Sequence, residues 1–261
     1  MIDINKAKKE FMNYVKQYGD VNSGRISLKV RHILRVVENS KFIAKELKLD
    51  DDKVALAELI GLFHDIGRFE QVRIYDTFSD KDTGLDHAAY SLKVLYEDNL
   101  ISKFIDTDQY DDIIKKAVFN HNKAEIDKSV KGESLLFSKI IRDADKLDIY
   151  KVINQEAMKD IFWYKEFDNI YMSDKLLEKF KKNELIDYKD IKNNADQIYA
   201  FFGYIFDFNF PSSYKIIKEN KYLEKFYDRI KDTFKSEDII NKTKELLEIC
   251  NKYMDKELLK I

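Results

Sequence analysis

Histidine occurs four times in this chain, at His32, His64, His87 and His121, all in the first half of its 261 residues. His64 is followed at once by Asp65, within Leu62-Phe63-His64-Asp65-Ile66-Gly67. A carboxylate-rich run, Arg142-Asp143-Ala144-Asp145-Lys146-Leu147-Asp148, comes soon after the last histidine. Neutral imidazole is the commonest metal ligand, and carboxylate oxygens complete hard or borderline sites. Burying several imidazoles without a shared purpose would cost desolvation each time. The set therefore predicts a metal site. At a helix end His64 and Asp65 can both turn inward; the imidazole suits one ion, and the two carboxylate oxygens suit a bridge between two.

Helices are the elements that must bring these residues together. Ile26, Val30, Ile33 and Val37 recur on one helical face, with Leu28, His32 and Val36 on an adjacent line. Asp50-Asp51-Asp52 starts a helix from Lys53 to about His64, and Gly67 falls where its C-terminal cap belongs. Asp86 is placed to cap a helix from His87 to Tyr96, Asp111 and Asp112 to open one from Ile113 to His121, and Ser134 to open one carrying Phe137, Ile141, Asp145 and Ile149. Farther on, Asn183, Asp187 and Ser236 lead further helical patterns, the last burying Ile239, Leu246, Leu247, Cys250 and Met254.

Composition agrees with helices. Seven glycines and one proline, Pro211, are too few for the turns of a β-rich chain. An all-α fold is expected, as a single domain over residues 1–261 with the metal-binding core at about 20–150 and covering helices at about 151–261. At 44% hydrophobic and 36% charged residues the chain is globular rather than disordered. Lysine plus arginine (46) nearly balances aspartate plus glutamate (48), so no nucleic-acid polymer is expected as a partner. The single cysteine, Cys250, excludes an intrachain disulfide and a multi-thiolate zinc site, and reads as a small core residue. The most apolar stretch, Ile198–Phe206, is far shorter than the roughly twenty residues that span a bilayer. With no apolar run at the N-terminus, a cytoplasmic protein without a membrane partner is expected.

The ordered set His32, His64-Asp65, His87, His121 and a late aspartate resembles the HD superfamily of metal-dependent phosphohydrolases. The resemblance covers about residues 26–150. It extends to His32-Ile33-Leu34-Arg35-Val36, Phe63-His64-Asp65-Ile66-Gly67-Arg68, Asn120-His121-Asn122-Lys123 and Asp143-Ala144-Asp145-Lys146-Leu147-Asp148. It implies an HD-domain-like helical bundle with additional C-terminal helices. By the same resemblance His32, His64, Asp65 and the late aspartate hold one metal. His87 and His121 match members with a second ion, bridged by Asp65.

Helical geometry selects Asp145 as the late ligand. It interrupts the apolar stripe Phe137, Ile141, Ile149, whereas Asp143 lies about 200° away around the helix. Asp143 is left either to support a ligand or to face the surface, and Asp148 to orient a ligand histidine. This donor set suits two divalent ions of Mn, Fe, Co, Ni or Zn. The expected reaction is hydrolysis of a phosphomonoester or phosphodiester by a metal-activated hydroxide, with His64 and Asp65 at its centre. The expected substrate is a small phosphorylated molecule, by resemblance a nucleotide.

Arg68 and Lys146 are the cations best placed by sequence to meet a substrate phosphate, ahead of Lys123 and Arg73. Gln71, Tyr75, Phe78 and Asp82 belong to a predicted loop that would line the pocket. Two alternatives share the ligand pattern: an HD-fold di-iron oxygenase and a non-catalytic nucleotide-binding regulator. Oligomeric state is left open by the sequence.

Overall fold

The computed structural model describes residues 2–168 and 170–259, and every regular element among them is helical. Two compact units divide the chain, Met1–Asp145 and Lys146–Ile261.

In the first unit, α1 (Ile4–Val15) is capped by Asp3 and α3 (Asp51–Phe63) by Asp50, with α2 (Gly24–Glu46) between them. The predicted line Ile26, Val30, Ile33, Val37 is buried, and α2 packs along α3. Helix α3 is buried nearly all round from Leu56 to Phe63, as expected of a helix at the centre of a bundle. Its one internal charge, Glu58, receives Lys8 at 3.1 Å and Lys41 at 3.0 Å. Then come α4 (Gly67–Tyr75), α5 (Asp80–Thr83), α6 (His87–Leu92, running into a π-turn at Lys93–Glu97), α7 (Asp111–Asn120) and α8 (Gly132–Gln155). The division between the units falls inside α8.

Gly67 does not cap α3, contrary to the sequence expectation. It is the first residue of α4, and a Cβ there would lie 2.6 Å from the Ser91 backbone nitrogen and 2.8 Å from the Tyr90 carbonyl carbon. Glycine is needed because α6 crosses α4 at backbone contact. The predicted loop over Gln71–Asp82 is also corrected: Gln71 and Tyr75 are helical, and α5 takes up Asp82.

The second unit contains α9 (Met158–Ile161), α10 (Asp174–Lys181), α11 (Asn194–Gly203), α12 (Pro211–Glu219), α13 (Tyr222–Thr233) and α14 (Glu237–Leu258). Pro211 opens α12, where its missing N–H is harmless. Ser236 caps α14, which buries Ile239, Leu246, Cys250 and Met254 as predicted; Thr243 joins that line and Leu247 is half-buried. Asn183 and Asp187 do not lead helices of any length. Asn183 takes a left-handed conformation (φ 60°) just after α10, and Asp187 folds its side chain onto the Lys189 N–H to start a single 3₁₀ turn. No helix among the described residues is long and apolar enough to cross a membrane.

Candidate metal centre

The six residues singled out by sequence sit on five helices or their ends: His32 on α2, His64 and Asp65 at the end of α3, His87 opening α6, His121 ending α7 and Asp145 on α8. They form two groups able to hold an ion, His32–His64–Asp145 and Asp65–His87–His121, with the chosen ligand atoms of each within 4.8 Å of one another. His64, Asp65 and His121 are buried. Asp145 Oδ1 lies 3.3 Å from His32 Nε2 and 3.9 Å from His64 Nε2. Asp65 divides its oxygens: Oδ2 is 3.6 Å from His32 and 3.5 Å from His64, while Oδ1 is 3.5 Å from His87 and 3.8 Å from His121.

Hydrogen bonding determines what each ring presents to the interior. His64 Nδ1 donates to the Gly61 carbonyl at 2.7 Å and His121 Nδ1 to the Val118 carbonyl at 2.7 Å. A carbonyl can only accept, so each proton is on Nδ1 and each Nε2 carries a lone pair. Burial pushes both imidazoles below their ordinary pKa, His121 to about 3, which keeps them neutral. His87 Nδ1 meets the Asp80 carboxylate at 2.5 Å, which turns Nε2 toward His121. The His87 and His121 Nε2 atoms are 3.0 Å apart.

That arrangement fits a cation. Two imidazole nitrogens each about 2.1 Å from one ion lie about 3.0 Å apart at a right angle and about 3.4 Å apart at the tetrahedral angle. The observed separations are 3.0 Å for His87–His121 and 3.3 Å for His32–His64. Asp65 Oδ1 is buried and accepts no hydrogen bond, an orphaned acceptor directed at the second group. Both carboxylates are held below the usual range: burial opposes this, but the Lys29 ammonium outweighs it at Asp65, and the hydrogen bond to His32 does so at Asp145.

A surrounding layer fixes the candidate ligands. Asp80 accepts from His87 Nδ1, from the His87 N–H at 3.3 Å and from Arg68 Nη1 at 2.5 Å. Buried Gln71 links Arg68, Asp80 and Thr83. Ser91 accepts from the Gly67 N–H at 3.0 Å and donates to the His64 carbonyl at 3.1 Å, tying α6 to the His-Asp turn. Buried Arg142 donates to the carbonyls of Asn120, Lys123 and Ala124 and so fixes the turn that follows His121. Asp86 caps α6 and pairs with Lys123 and Asn122. It also lies with Asp80 and His87 in a third acidic group.

The expected phosphate contacts are already engaged. Arg68 bonds Asp80, Gln71 and the Phe78 carbonyl, with its Nε 3.5 Å from Asp65 Oδ1. Lys146 pairs with Asp207 at 2.7 Å, and Arg73 pairs with Glu70. Asp143 is fully buried, which removes its surface alternative, and Asp148 is buried as well. Tyr75 points largely to solvent. Sequence reasoning missed two residues. Lys29, one turn before His32 on the same helical face, brings Nζ within 2.7 Å of Asp65 Oδ2. Asp80 lies seven residues before His87, and its only local signal is the helix cap Ser79 that precedes it.

Residues 30–150 match the family model for the HD domain, a span that holds all six residues of the two groups. Searches of curated proteins and of solved structures returned no match. Members of the HD family are generally metal-dependent phosphohydrolases, and the paired His/Asp groups here suit metal binding. Through residues 30–150 the chain is an HD-domain protein of the HD superfamily of metal-dependent phosphohydrolases.

Proposed function

We propose that this chain hydrolyses a phosphomonoester or phosphodiester of a small, nucleotide-like substrate at a dinuclear metal centre. One observation carries the reading: two imidazole pairs, at 3.3 and 3.0 Å, flank a single buried aspartate whose oxygens are divided between them. His32, His64, Asp65 and Asp145 would hold one ion, and Asp65, His87 and His121 the other. Mixed imidazole and carboxylate donors favour Mn, Fe, Co, Ni or Zn. Divalent ions held there supply Lewis acidity to water and to phosphoryl oxygens near neutral pH.

The chain's own groups do the positioning. Asp65 keeps a negative charge between the two imidazole pairs, and Asp80 holds the His87 proton on Nδ1 so that Nε2 faces inward. Arg68 steadies Asp80 and stands beside Asp65. For Arg68 or Lys146 to meet a phosphate, each would have to loosen a carboxylate partner, Asp80 or Asp207. The near balance of charge favours a small substrate over a polyanion.

The test combines metal analysis with turnover. Wild-type protein reconstituted with Mn²⁺ should release phosphate or open a phosphodiester in a nucleotide panel, and His64→Ala should lose both metal and activity. Unchanged metal content in His64→Ala, together with no turnover by the wild type, sinks the proposal. Oxygen uptake by iron-loaded protein without phosphate release would replace it with the oxygenase reading.

A further inference from the structure

The candidate centre contains a cation of its own. Lys29 Nζ is 2.7 Å from Asp65 Oδ2, the oxygen shared with His32 and His64. Only 17% of the Lys29 side chain is exposed, and its ammonium lies 5.5 Å from the centre of the Phe78 ring. A buried carboxylate needs a compensating charge, and without a metal ion Lys29 is the nearest one. Arg68 Nε approaches the other oxygen only to 3.5 Å.

We infer that Lys29 is a displaceable counter-ion, neutralising Asp65 in the metal-free site and turning to a phosphoryl oxygen of the substrate once divalent ions are bound. This rests on the dinuclear phosphohydrolase reading. An ammonium at hydrogen-bond distance from Oδ2 opposes a divalent cation at the same oxygen, because like charges repel strongly where water is scarce. Once an ion satisfies Asp65, the ammonium is left partly buried with excess positive charge around it. A dianionic phosphoryl group removes that excess. Lys29 thus weakens metal binding and strengthens anion binding, and the two effects are thermodynamically linked.

The decisive measurement is Mn²⁺ affinity by titration calorimetry for wild type, Lys29→Gln and Lys29→Arg, followed by inorganic phosphate affinity of each Mn²⁺-loaded protein. Lys29→Gln should bind Mn²⁺ about tenfold more tightly and phosphate about tenfold more weakly, within the usual range of such couplings. Lys29→Arg should stay close to wild type. If Lys29→Gln is unfolded without metal, Mn²⁺ must restore its fold, since the ion takes over as counter-charge; failure of that rescue overturns the inference. Equal or weaker Mn²⁺ binding by Lys29→Gln, or unchanged phosphate affinity, overturns it while the metal reading stands. A wild type that binds no Mn²⁺ removes both.

Discussion

Buried polar side chains do opposite work on α11 of the second unit and at the candidate metal centre of the first. In the second unit three buried polar side chains of α11 are satisfied by backbone. Asn194 accepts from the Tyr164 N–H and donates to the carbonyls of Tyr164 and Glu166. Gln197 bonds Trp163 and Ile161, and Asp196 takes the N–H groups of Ser173 and Lys192. These side chains fasten irregular backbone to a helix. In the first unit, His87 and His121 turn their Nε2 atoms toward each other, and Asp65 Oδ1 has no donor. Buried polarity that closes on itself supports a fold, whereas convergent acceptors left open leave room for a cation.

The largest effect expected from breaking this contrast is at Asp65. Asp65→Asn should lower kcat/KM by about a thousandfold, the several kcal/mol expected when a metal-bridging charge is lost, with metal content by mass spectrometry falling alongside. Next is a paired comparison. Asp80→Asn should weaken metal binding by about ten- to a hundredfold with little change in denaturant midpoint. Asn194→Ala should do the reverse, costing about 3 kcal/mol of stability while metal affinity is kept. If Asn194→Ala also lost metal, the distinction between the two kinds of buried polarity would fail.

Gly67→Ala comes third, at about 2 kcal/mol, because its methyl group must push α6 away from α4. Ion affinity should fall with it, since His64 and His87 flank that contact. Acid sensitivity is the smallest effect. His121 binds a proton near pH 6.5 when unfolded but only near pH 3 when folded, so the unfolded state holds more protons between those values. The metal-free first unit should therefore lose stability as pH falls below 6.5, by about 1.4 kcal/mol one unit lower for this group alone. The second unit contains no histidine. Amide exchange at about pH 5.5 should quicken about tenfold in the first unit while the fluorescence of Trp163, the only tryptophan, stays unchanged.

The candidate ligands were legible because histidine is scarce and each copy lies at a helical register or helix end. Asp145 was legible for a related reason, as the one charge on an apolar stripe. Lys29 and Asp80 were not. In a chain with 36% charged residues, one more lysine or aspartate has no contrast until folding brings it against Asp65 or His87. Gly67 was misread because a glycine after a helix has two uses, and only the position of α6 decides between them. The amides of α11 gave no periodic signal, since their partners are backbone groups of segments about thirty residues earlier in the chain.

His64 and His121 are each locked by a carbonyl in the last turn of their own helix, where carbonyls lack helical partners. His87 is instead locked by a carboxylate on the four-residue helix α5. Kinetic lability follows from this difference. Fraying of α5 frees the His87 ring without disturbing His64 or His121. Under the dinuclear proposal, an ion on the Asp65–His87–His121 side would therefore exchange faster than its neighbour, and a chelator would pass through a singly loaded protein on the way to the empty one.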